Sequence, residues 1–147
     1  MNKPTVPALI PNLVKPTLDT PLHIDYDWWK QKGMQISVEL RNHLCADHQA
    51  AFSEHFDTEE LDWVDAKTGE VTRVNGLQHV LQAHCSKQPD YINPNLSLIN
   101  AVFRVFLANG NTPMTCQELS DAIGHAPDKI LHTLTGRQVY KGIRPVH

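Results

Sequence analysis

Nine histidines and three cysteines in 147 residues are the natural place to look for chemistry. Imidazole and thiolate are the side chains that hold transition metals and act as bases and nucleophiles near neutral pH. Six of these residues fall into two groups, His43, Cys45 and His48, then His79, His84 and Cys85. Four such ligands drawn from two helices have the right chemistry for a tetrahedral zinc site. The spacing reads against it. His43 and His48 are five apart, as are His79 and His84, whereas partners on one helix face are three or four apart. The expectation is therefore satisfied or exposed histidines, with no metal and no cofactor, and the six residues stand only as weak metal candidates.

Catalysis has less support. Cys45 or Cys85 beside a histidine is a nucleophile pair in composition only, because adjacent helical positions rarely reach bonding geometry. Buried, inert cysteine is the commoner state. The chain has no Gly-rich phosphate loop, no GxSxG elbow and no HExxH motif, so no enzyme is expected.

The composition bounds the scaffold. With 41% hydrophobic and 20% charged residues, the chain suits one globular domain or two very small ones sharing a core. Net charge is −3, unevenly spread. Residues 1–93 carry 8 Lys+Arg against 13 Asp+Glu, and residues 94–147 carry 5 against 3. An acidic front and a mildly basic back are compatible with nucleic-acid contact through the back alone. Cys45, Cys85 and Cys116 form no CxxC pair and do not resemble a disulfide framework. The first residues hold no apolar h-region. The longest apolar stretch, 98–108, is interrupted by Asn100 and Arg104 and is too short to span a bilayer. A cytoplasmic protein without a membrane partner is expected.

Three regions follow from turn and breaker residues. Residues 1–22 hold five prolines, which exclude helix and central strand and leave an extended arm. Its aliphatic residues, including Leu9, Ile10 and Leu13, suit a surface laid on this chain or on a partner. Residues 23–93 read as a small α+β region. Asp25 or Asp27 caps a short helix carrying Trp28 and Trp29, of which one can face the core and the other a partner. Residues 34–56 are mostly helical in pattern, with a strand the alternative over Ile36–Leu40 and Asp47 placed to cap a second helix over 48–56, and 61–74 read as a β-hairpin with Gly69 in a left-handed turn position. A helix follows to about Lys87. Asn93-Pro94-Asn95 marks the boundary with residues 94–147.

The back region is the most specific. Leu98, Ile99, Val102, Phe103, Phe106 and Leu107 give a wide apolar helical face. Thr115-Cys-Gln-Glu118 matches a capping box, Gly124 is a helix stop, and Pro127 suits the first position of the next helix. Residues 137–146 read as a short β segment. This order resembles the winged helix-turn-helix superfamily over the C-terminal third. The fold class expected is thus α+β, mainly α, with a C-terminal winged helix-turn-helix module, a small helical region with one hairpin, and the Pro-rich arm.

The resemblance implies a recognition helix over 128–135 and a wing made of Gln138–Tyr140 and Ile143–Pro145. Lys129, His132 and Thr133 would then meet the major groove, and Arg137, Lys141 and Arg144 the phosphates. It implies a small DNA-binding or regulatory protein. The alternative is a non-catalytic accessory subunit of a larger protein or nucleoprotein assembly, docking through the N-terminal arm and the winged helix, with Trp28 and Trp29 as further contacts, or a homodimer.

Overall fold

A computed structural model describes residues 15–51, 60–64, 69 and 71–146. Leu9, Ile10 and Leu13, the candidate partner contacts of the arm, lie outside the described residues. The fold is α+β and mainly α. Its elements run β1 (Leu22–Ile24), α1 (Tyr26–Gln31), α2 (Ile36–Arg41), α3 (Ala46–Ala51), β2 (Glu60–Val64), β3 (Val71–Asn75), α4 (Gly76–Ala83), a 3-10 turn (Cys85–Lys87), α5 (Leu98–Ala108), α6 (Cys116–Ile123), α7 (Pro127–Leu134) and β4 (Ile143–Pro145).

α5 is the axis of the core. Ser97 caps it by accepting from the Asn100 N–H, and Val102, Phe103 and Phe106 are wholly buried. Leu40, Leu77 and Leu81 from the front and Leu119, Ile130, Leu134 and Ile143 from the back join one continuous apolar cluster. Hydrophobic burial therefore runs across the 93/94 boundary, as expected for small regions too short to fill separate cores. No helix among the described residues is long and apolar enough to cross a membrane.

The helix ends of the back region follow local chemistry. Thr115 Oγ1 accepts from the Glu118 N–H at 3.3 Å, and Glu118 Oε1 accepts from the Thr115 N–H at 2.9 Å, which is the expected capping box. Gly124 closes α6 at φ +84°, and Pro127 opens α7. The hairpin is also as expected: β2 and β3 pair antiparallel, with Trp63 opposite Thr72, and Gly69 has φ +73°.

The C-terminal β segment differs from the expected wing. β4 pairs antiparallel with β1, placing Ile24 opposite Ile143, and residues 138–140 contribute only a single bridge, Tyr140 to Ile143. The expected arm thus ends in a strand, because Leu22 follows the last arm proline and its N–H and C=O exchange hydrogen bonds with Met114. The side-chain amide of Asn111 does the same for Ile24, accepting from its N–H and donating to its C=O at 2.8 Å each. The helical stretch over 34–51 is divided into α2 and α3, with the second helix starting close to the expected Asp47 cap. Residues 42–45 form a turn between α2 and α3, and that break shapes the site described next. Phe56 lies outside the described residues.

Candidate metal centre

Cys45 sits in the turn immediately before α3, and His48 is the third residue of that helix. Cys45 and His48 are three apart, so both face the same side. The Leu44 carbonyl accepts from Gln49 Nε2 at 3.0 Å, and the Cys45 carbonyl from the Gln49 N–H at 2.9 Å. Across from this turn, α4 ends at Ala83. His84 has the non-helical conformation φ −126°, ψ −60°, and Cys85 opens the 3-10 turn. That kink lets two consecutive side chains address one point, which a continuous helix does not allow.

Cys45, His48, His84 and Cys85 offer ligand atoms that all lie within 4.8 Å of one another. Cys45 Sγ is 3.1 Å from His48 Nδ1, 3.7 Å from His84 Nδ1 and 3.4 Å from Cys85 Sγ. Cys85 Sγ is 3.5 Å from His48 Nδ1. A tetrahedral zinc with usual Zn–S and Zn–N bonds has ligand–ligand edges of about 3.3–3.8 Å, so these separations are close to a coordination shell. The two imidazoles meet edge to face, 4.5 Å between centroids and 70° between planes. Cys85 is buried, Cys45 and His48 are half-buried, and His84 is exposed. Burial pushes the Cys85 thiol up to about 11, with Cys45 beside it; a cation in the centre would offset that cost. Cys116 is buried at the start of α6, apart from this cluster.

The remaining two metal candidates lie elsewhere. His79 is half-buried within α4 and outside the cluster. His43 is 3% exposed and belongs to a polar chain under the turn. Arg104 Nε donates to His43 Nδ1 at 3.0 Å, which leaves His43 Nε2–H to donate to Glu39 Oε2 at 2.7 Å. Both ring nitrogens are thereby assigned and the imidazole is neutral. Burial drives the same outcome, holding His43 below its ordinary value. Glu39 also accepts from Lys141 Nζ at 2.5 Å. The His43 bond chiefly, and Lys141 with it, depress the Glu39 carboxyl to about 2 against the cost of burial. Arg104 is itself fixed, donating from NH1 to the Tyr91 carbonyl at 2.8 Å. The turn that carries Cys45 is therefore anchored to the core helix α5.

The expected macromolecular contacts divide. Lys129, His132 and Arg137 are exposed, and Thr133 is half-buried. Lys141 and Arg144 are committed within the chain, a correction to their expected freedom. Lys141 pairs with Glu39, and Arg144 NH2 reaches Asp25 Oδ2 at 2.5 Å. The cause is the β1–β4 pairing, which draws the acidic front against these two cations. Of the two tryptophans, Trp29 is the one that faces the core. It is 6% exposed and donates from Nε1 to the Lys141 carbonyl. Trp28, stacked edge-on to it at 5.4 Å, stays half-buried.

Family models, curated proteins and solved structures were compared with this chain, and none matches.

Proposed function

We propose that this chain binds one zinc ion through Cys45, His48, His84 and Cys85, and that the ion is a structural clasp rather than a catalyst. The observation that carries this reading is the convergence of four Cys2His2 donor atoms within 4.8 Å. Two sulfurs and two imidazole nitrogens suit zinc, whereas magnesium and calcium prefer oxygen. Four protein ligands complete a tetrahedral shell and leave no position for a reacting water, which a catalytic zinc keeps open. The clasp joins the α2–α3 turn to the end of α4, two segments about forty residues apart in sequence. Metal analysis of the purified full chain tests this. The expected content is about one zinc per chain, lost when Cys45→Ser and Cys85→Ser are combined. A wild-type protein that takes no zinc on reconstitution overturns it.

A second reading concerns α7. Its outer residues Asp128, Lys129 and His132 are exposed, and Arg137 follows on the same exposed stretch. With the capped α6, the tight Gly124 turn and α7 in sequence, this supports a non-enzymatic, winged-helix-like module that docks to duplex DNA, with a protein partner as the alternative. Duplex affinity should fall with salt and fall further in Lys129→Ala and Arg137→Ala. Binding indifferent to salt and to both changes removes it. Lys141 is a poor probe, because its replacement also breaks the Glu39 pair.

A further inference from the structure

Two features of the metal centre bear on what happens to it outside a reducing environment. The first is the separation of its sulfurs, 3.4 Å, little more than an ångström longer than a disulfide bond. The second is access. Cys45 and Cys85 both line a cavity of about 410 Å³, together with Asp47, Asp90, Tyr91 and Arg104. The cavity is polar and far larger than a hydroperoxide molecule. The third thiol, Cys116, is wholly buried and lines no part of this cavity.

We infer that Cys45 and Cys85 form a redox modification site, at which a hydroperoxide converts the two zinc-bound thiolates to an intrachain disulfide and ejects the metal. This rests on the zinc reading above for its metal-release half. The electron balance is simple. The Cys45 thiolate, the more exposed of the two, attacks a peroxide oxygen. With hydrogen peroxide as the oxidant, the O–O bond breaks, hydroxide leaves, and Cys45 becomes a sulfenic acid. The Cys85 thiolate then attacks the Cys45 sulfur, forming the S–S bond and releasing a second hydroxide. Each hydroxide takes a proton to become water. The two sulfurs lose two electrons in total, and the peroxide gains them. Zinc, left with two imidazoles, has lost half its ligands and dissociates. A thiol reductant reverses the step by exchange and restores the site.

The proximity of the sulfurs favours the disulfide over deeper oxidation, because the resolving thiolate is already in place. Were Cys85 absent, the chemistry would stop at a Cys45 sulfenic acid open to a carbon nucleophile.

The test treats the full chain, loaded with zinc, with hydrogen peroxide, and follows two readouts. A chromogenic chelator reports released zinc. Peptide mass spectrometry reports which cysteines are joined. The expected result is about one zinc released per Cys45–Cys85 cross-link, reversed by a dithiol, with Cys116 unmodified. In Cys85→Ser, a dimedone adduct should appear at Cys45 instead, and Cys116→Ala should behave as wild type. Zinc release accompanied by sulfinic acid, by cross-links through Cys116 or by intermolecular disulfides overturns the proposal. So does a zinc-loaded protein that keeps its metal and its thiols under peroxide. If the chain takes up no zinc, the zinc reading fails by itself. The same peroxide treatment of the metal-free chain then decides the redox site, with a Cys45–Cys85 cross-link supporting it and its absence overturning it.

Discussion

Replacing Glu39 by glutamine is the sharpest probe of how the turn that carries Cys45 is held. Glu39 Oε2 receives the His43 Nε2–H at 2.7 Å and Lys141 Nζ at 2.5 Å, and its carboxyl is depressed from 4.5 to about 2. A shift of that size sets an upper limit of about 3 kcal/mol for its contribution at neutral pH. Lys141 remains 29% exposed, so solvent screening trims the figure to about 1–2 kcal/mol. The sign follows from a folded pKa below the unfolded one. The stabilisation is complete above about pH 4.5 and is lost as pH falls toward 2. The glutamine of Glu39→Gln would retain one acceptor but no charge, and would turn an amide toward two donors. Urea unfolding at pH 7 should show Glu39→Gln less stable by about 1–2 kcal/mol. The gap should close as both proteins are titrated below pH 4.5. An equal gap at pH 7 and at pH 2.5 would refute the charge argument and leave only a packing effect.

Other outcomes follow from single contacts. Gly142 has φ +78°, and a Cβ there would sit 2.9 Å from Trp29 Nε1 and 3.0 Å from the Asp25 carbonyl. Gly142→Ala should therefore cost about 2–4 kcal/mol and alter Trp29 fluorescence. Thr115→Ala, which removes half the capping box, should cost about 1 kcal/mol in thermal or urea unfolding. Zinc affinity should fall in His48→Ala and His84→Ala by more than the roughly 10–100-fold typical of outer-shell changes, whereas His79→Ala should leave zinc affinity near wild type in a competition titration. Free zinc at about a thousand times its dissociation constant should stabilise the fold by about 4 kcal/mol, read as a higher Tm that a chelator reverses.

The back region was the more legible part of the sequence because its signals are local. Thr115 with Glu118, Gly124, and Pro127 each act within one helical turn, so the helix limits follow from residue type. The partner of β4 was not legible. Its pairing with β1 spans more than a hundred residues and depends on Asn111 and Met114 completing the other edge of β1. That long-range contact also determines what Lys141 and Arg144 do. The candidate metal centre was half legible. The six candidates contained all four converging residues, but a five-residue spacing disfavours convergence only on an unbroken helix. The useful signals were Cys45-x-x-His48, rather than His43 with His48, and the adjacent His84-Cys85 pair at a helix end. The kink at His84, which turns both side chains toward one point, is a backbone feature with no proline or glycine to announce it.

A closed Cys2His2 coordination shell has a distinct signature in X-ray absorption at the zinc edge of the reconstituted full chain. The expected spectrum has two sulfur scatterers at about 2.3 Å and two imidazole nitrogens at about 2.0–2.1 Å, with one sulfur lost in Cys45→Ser. A shell dominated by oxygen, or one unchanged by that substitution, would contradict it.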